Sequence, residues 1–270
     1  MTINGILTTA LQRMTNDKAI RSSSIPWSCP ILSFGNPRGS RVATLGINPS
    51  NREFVDTVGS PLPEEDRRLH TLQSLDIDSW GEASFTHFVN LINATNQYFK
   101  RNPYDAWFKK LDAILSGIPA SFYSDERPAC HLDLVPFATQ VKWSDLEQRV
   151  RRVLIKTCGD ILGMVLREST IRVIILNGRS VVDGFSEISD CSLQPEHAPA
   201  WDLHRAGGPN VRGIAYKGLI DTVGEIYLES PILVLGYNHN LQSSFGVTNK
   251  AIHSIRAWVE SEVSSHEFWK

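Results

Sequence analysis

Four short apolar runs, each closed by turn-forming residues and separated by stretches long enough for helices, constrain this chain more than any other feature. They are Arg41–Gly46, Cys130–Phe137, Arg172–Leu176 (RVIIL) and Ile232–Leu235. Runs this apolar are expected of strands whose two faces are both covered by helices. Helical signals lie between them. Ser84–Phe99 carries Phe85, Phe88, Val89 and Ile92 at i, i+3, i+4, i+7 spacing. Asn102-Pro103 opens a helix at Tyr104–Leu115 that buries Trp107, Phe108, Leu111 and Leu115. The capping box Ser144-Asp145-Leu146-Glu147 starts a helical region reaching about Leu166, with a break near Gly159. Thr248–Val259 presents Ile252, Ile255 and Val259 on one face, and residues 1–14 hold a short helix. Strands alternating with helices predict a three-layer α/β/α sandwich with a four-stranded, mainly parallel central sheet. A hairpin is expected from Val211–Tyr216 and Leu219–Val223 across Lys217-Gly218.

The 270 residues are read as one domain, with long excursions at about 55–118 and 187–223. A formal charge of −2 excludes a wholly basic binder but leaves room for a local basic groove. Cys29, Cys130, Cys158 and Cys191 form no CxxC pair, which argues against a zinc ribbon or a local iron–sulfur loop. No cofactor or metal is expected, and free thiols suit a reducing cytoplasm. No leader-like segment or membrane-length apolar run is present, so a cytoplasmic protein without membrane contact is expected, as a monomer. The absence of GxSxG, Walker, GxGxxG and HExxH patterns disfavours serine hydrolases, nucleoside triphosphatases, dinucleotide enzymes and zinc peptidases.

In a parallel sheet the carboxyl ends of the strands share one edge, where ligands bind. The segments there are Gly46–Ser50, Val135–Gln140, Asn177–Arg179 and Gly236–Gly246. Gly46-Ile47-Asn48-Pro49-Ser50 is a stiff turn that holds one amide side chain at that edge. Asp133 lies within the second strand, His239 follows the fourth, and Phe54 lies just past the first turn.

Gly46-Ile47-Asn48-Pro49 resembles the first motif of the uracil-DNA glycosylase superfamily, most closely its mismatch-specific and thymine-DNA branch. The motif order agrees: a base-reading residue on the second strand, then a histidine loop after the last. His239-Asn240-Leu241-Gln242 departs from the family's His-Pro-Ser-Pro. The resemblance implies DNA as partner and a flipped base as substrate. It gives Asn48 the role of orienting water against the sugar C1′, and His239 that of donating to the base O2. Phe54 would stack on the base with Ile47 beside it. Leu241 would wedge into the gap left in the duplex. Asn240, Gln242, Ser243 and Ser244 would meet phosphates, with charge from Arg52, Lys142 and Arg179. Structural alternatives stay open for each: Asn48 as a cap of its own turn, His239 as a loop histidine bonded to backbone, Phe54 as core. Arg149, Arg151 and Arg152 read as a solvated helix face. With no lysine at a motif position, no Schiff-base lyase step is expected.

Asp133 stands where the uracil branch has asparagine. A carboxylate only accepts hydrogen bonds, which suits the N4 amino group of cytosine and opposes O4 of uracil. The expected substrate is therefore a modified cytosine, since excision of plain cytosine would destroy the host's own DNA. A branch of the superfamily removes α-glucosylated hydroxymethylcytosine from phage DNA, and the excursions and Trp80, Trp143 and Trp201 suit enclosure of such a sugar. The alternatives are a uracil or thymine-mismatch glycosylase of base-excision repair, a non-catalytic nucleic-acid binder on the same fold, and a small-molecule hydrolase.

Overall fold

The computed structural model describes residues 2–204, 209–242 and 247–266. Its sheet has six strands: β1 (Val42–Gly46), β2 (Ala129–Asp133), β3 (Val173–Asn177), β4 (Gln194–His197), β5 (Ile214–Val223) and β6 (Ile226–Tyr237). The order is β2-β1-β3-β6-β5-β4. The first four are mutually parallel and are the four apolar runs of the sequence; β5 and β4 extend one edge antiparallel. The sheet is thus larger than the expected four strands. Helices flank it: α1 (Ile3–Asn16), α2 (Lys18–Ser23), α3 (Phe85–Asn96), α4 (Tyr98–Arg101), α5 (Asp105–Leu115), α6 (Gln148–Arg167), α7 (Arg179–Ser186) and α8 (Asn249–Ser265). Among the described residues no helix is long and apolar enough to cross a membrane.

Several local expectations change. The hairpin does not turn at Lys217-Gly218; β5 runs straight through, Lys217 and Gly218 pairing with Leu235 and Val234. Gly218 is there for packing, since a Cβ would lie 2.4 Å from the Cys191 Sγ. The turn falls instead at Gly224-Glu225, whose φ values of 53° and 66° give the two left-handed residues that a two-residue hairpin loop needs. Nor does α6 break at Gly159. Gly159 and Gly163 receive this turn: a Cβ on Gly163 would lie 2.2 Å from the Val223 carbonyl oxygen. The predicted capping box does not form, because the Ser144 hydroxyl donates to Asp145 and the helix begins three residues later, after Glu147. In α3, Phe85 is exposed and the buried face is Leu91, Ala94 and Thr95. α5 buries Phe108, Leu111, Ile114 and Leu115 but leaves Trp107 half-buried.

The amino-terminal helix is fastened to the sandwich by Ile6, Leu7, Ala10, Leu11 and Met14, and by Arg13, which grips the Asp160 carboxylate on α6. The first excursion carries α3, α4 and α5; α3 packs against α1 and α5 against α8. All four cysteines are buried, unpaired thiols, and burial pushes that of Cys130 up to about 12.

Candidate functional site

A cleft of about 750 Å³ lies at the carboxyl edge of the parallel strands. The turn after β1 contributes Gly46–Asn51, the segment after β2 Thr139 and Val141–Ser144, the β3–α7 junction Asn177–Val181, and the segment after β6 Asn238 and Asn240. Trp107 reaches in from α5 and Arg151 from the first turn of α6. Lys142, Arg151 and Arg179 line the cleft, and among the described residues no carboxylate does. A narrow recess of about 50 Å³ shares Asn48, Pro49, Ser50 and Trp107 with it. The recess adds Phe34, Glu53, Tyr104, Phe108, His131 and Asp133. The first excursion therefore supplies part of the aromatic wall, through Tyr104, Trp107 and Phe108.

Asn48 sits where cleft and recess meet. Its Nδ2 donates to the Phe137 carbonyl at 3.4 Å, the Thr139 Oγ1 at 3.2 Å and the Pro49 carbonyl at 3.1 Å. The Thr139 hydroxyl spends its own proton on the Val141 carbonyl. It can only accept from Asn48, which fixes the orientation of the amide and leaves Oδ1 as the acceptor facing away from this cradle.

Asp133 is opposite Gly46 in the β1–β2 register, and His131 is opposite Thr44. Both side chains lie over Gly46: a Cβ there would stand 2.5 Å from the Asp133 Oδ1 and 2.9 Å from the His131 Nε2. The glycine of the motif is thus required by its neighbours on β2. His131 is 3.5 Å from Asp133 through Nε2 and 2.6 Å from the Thr44 Oγ1 through Nδ1. Trp107 packs edge-on against its ring, centroids 4.8 Å apart.

Glu53 was not indicated by the sequence. It sits in a short, polar 3₁₀ turn, Asn51–Glu53, yet is only 3% exposed. The Tyr98 hydroxyl donates to its Oε2 at 2.8 Å. Burial pushes its carboxyl up to about 7; Asp133 adds to the rise, while Tyr98 and Arg68 oppose it. Arg151 was likewise read as part of a solvated face, but it lines the cleft and its Nε is buried without a hydrogen-bond partner. Arginine spacing along a helix does not reveal which one points over a cleft.

The remaining expected residues divide. Ile47, Asn240, Lys142 and Arg179 line the cleft. Arg179 is also engaged by Asp183 at 2.7 Å and the Tyr216 hydroxyl at 3.2 Å. Gln242 is structural: its side chain accepts from Asn177 and donates to the Trp107 carbonyl, tying the loop after β6 to α5. Four expectations do not match the geometry. Phe54 packs edge-on to Trp27 and lines a cavity of about 240 Å³ that Glu53 also borders, and does not line the recess. His239 is 2% exposed, and its Nε2 lies 2.7 Å from the Trp201 carbonyl oxygen; it lines neither cleft nor recess, and burial holds its pKa down. Leu241 is 3% exposed, too buried for a wedge. Arg52 donates to the Asp56 carbonyl, outside the cleft. Ser243 and Ser244 lie outside the described residues. Of the three tryptophans, Trp80 and Trp201 are buried, whereas Trp143 lines the cleft. Among the described residues no group of three or more metal-ligating side chains occurs. No family model matches this chain, and no curated protein matches its sequence.

Proposed function

We propose that this protein is a monofunctional DNA glycosylase that turns a modified pyrimidine, a cytosine derivative, out of DNA and excises it to leave an abasic site. The observation that carries this reading is Asn48 at the junction of a cationic cleft and an aromatic-walled, acid-floored recess, its amide held so that Oδ1 is free to accept. Lys142, Arg151 and Arg179 are suited to a phosphate backbone. Phe34, Tyr104, Trp107 and Phe108 would replace the stacking that a flipped base loses. Water donating to the Asn48 Oδ1 would have a lone pair free for the sugar C1′. As the C1′–N1 bond breaks, its electron pair leaves with the base, the water hydroxyl joins C1′, and the remaining proton goes to the base or solvent. Placement and electrostatics supply the rate, an amide being too weak a base to take the proton. Trp143 in the open cleft suits a substituent carried on the base, including a sugar. A role in defence against phage whose DNA contains such bases follows from the resemblance.

A second reading, a nucleic-acid-binding protein that does not cut, draws on His239. The group the resemblance gives to the departing base is occupied by the Trp201 carbonyl. One assay separates the two. DNA carrying cytosine, 5-hydroxymethylcytosine, its α-glucoside, uracil or a G·T mismatch is incubated with the protein, and abasic sites are revealed by alkaline cleavage. Abasic sites are expected from a modified cytosine, with Asn48→Ala slowed about 100-fold or more. Binding without abasic sites on every substrate would establish the second reading instead.

A further inference from the structure

The recess holds two buried carboxyl groups, and only one of them was expected. Glu53 enters from the turn after β1 and Asp133 from the end of β2, 3% and 7% exposed. The hydrogen bonds around Glu53 fix which of its oxygens is free. The Tyr104 backbone N–H donates to the Tyr98 Oη at 2.9 Å, so the Tyr98 proton points onward to the Glu53 Oε2. Oε2 therefore accepts, and any proton on the carboxyl resides on Oε1. The charged and titratable groups around Glu53 are Tyr98 from α4, Arg68 from the first excursion, and Asp133 and His131 from β2. Arg67 lines the cavity on the far side of Glu53. Arg68 Nε stands 4.0 Å from Oε2, an ion-pair distance beyond hydrogen-bond reach; its charge opposes the rise but does not outweigh burial. Two buried carboxyls in one recess resist ionising together, and Asp133 adds to the rise at Glu53.

A recess that offers one acceptor-only carboxylate and one carboxylic acid able to donate has a definite complement. A 4-aminopyrimidine presents an amino donor at C4 beside an unprotonated ring acceptor at N3. Uracil and thymine present the reverse, an O4 acceptor beside an N3–H donor, and would meet like against like at both positions. We propose that Glu53 and Asp133 act together as the specificity pair of this recess, Glu53 donating to N3 and Asp133 accepting from the C4 amino group, so that the substrate is a 4-aminopyrimidine whatever its C5 substituent. The inference rests on the base-excision reading above for the way the base enters. It makes Glu53, absent from every motif of the sequence, as decisive as Asp133.

The sign of the pH dependence follows. Glu53 donates only while protonated, and burial pushes its carboxyl up to about 7. Recognition is half its full strength at that pH, approaches completeness a unit or more below it and falls about tenfold for each unit well above it.

The test uses two oligonucleotides that differ only at this edge, one carrying 5-hydroxymethylcytosine and one 5-hydroxymethyluracil. Each is measured by single-turnover excision between pH 5.5 and 8.5. Expected is a preference of 100-fold or more for the cytosine form at low pH, declining progressively as pH rises above about 7. Glu53→Gln, a permanent donor of the same shape, keeps the preference but removes the decline with pH. Asp133→Asn moves the preference toward the uracil form. Thermal melting checks that each variant is folded. Equal or faster excision of the uracil form by the wild type, or an unchanged pH profile in Glu53→Gln, overturns the proposal. If neither base is excised, the excision reading fails separately. Fluorescence anisotropy with the 2′-fluoro forms of the same oligonucleotides then decides the inference. Tighter binding of the cytosine form that weakens above pH 7 upholds it, and equal binding at all pH values overturns it.

Discussion

Gly46 carries no side chain because Asp133 and His131 already occupy the space one would fill. Gly46→Ala is expected to destabilise the protein by about 1–3 kcal/mol in urea denaturation, since the side-chain ends it would meet are buried and His131 is held by Thr44. Asn48 and Asp133 were legible because their positions are properties of strand ends: a turn just past one strand, an acid inside another. Glu53 was not. A glutamate within Asn51-Arg52-Glu53 has the composition of a surface turn, and what buries it is a tyrosine 45 residues away. His239 lies outside the cleft and recess linings for a related reason. Its ring is claimed by the Trp201 carbonyl, which arrives from an excursion whose path no local pattern encodes.

At the level of elements, the fit between α6 and the β5–β6 hairpin depends on two glycines spaced one helical turn apart. Gly159 and Gly163 let the hairpin turn approach the helix closely, and a methyl group on Gly163 would stand 2.2 Å from a backbone oxygen. Gly163→Ala gains helix propensity of about 1 kcal/mol. It is nonetheless expected to lose about 2 kcal/mol or more net in chemical denaturation, because backbone cannot step aside as a side chain can. Apolar runs and helix periodicity gave the strands and most helices. They misplaced the hairpin, since Lys217-Gly218 has turn chemistry while its glycine serves the Cys191 sulfur. They also read Gly159 as a helix breaker when it is a contact surface. A glycine's sequence context does not distinguish freedom of the backbone from closeness of a neighbour.

Across the whole molecule, a net charge of −2 coexists with a cleft whose described lining carries three cations and no carboxylate. If the cleft takes a DNA strand, affinity falls steeply with salt, and removing one phosphate-contacting cation lowers the slope of log K against log salt by roughly 1. Arg151→Ala is expected to do this in anisotropy titrations between 50 and 300 mM salt. An unchanged slope would remove Arg151 from the DNA path. The parallel arrangement was legible from the alternation of strands and helices, whereas the antiparallel edge added by β4 and β5 was not. The strand order also has a kinetic meaning. β6, made last, lies between β3 and β5 in the finished sheet. A ribosome-bound chain that has not yet released residue 237 therefore holds two unfinished half-sheets, each with an open edge. The two halves cannot join until β6 has emerged. The contact of Gln242 with Trp107 across 135 residues, which ties the loop after β6 to α5 beside the cleft, likewise requires β6 to be in place.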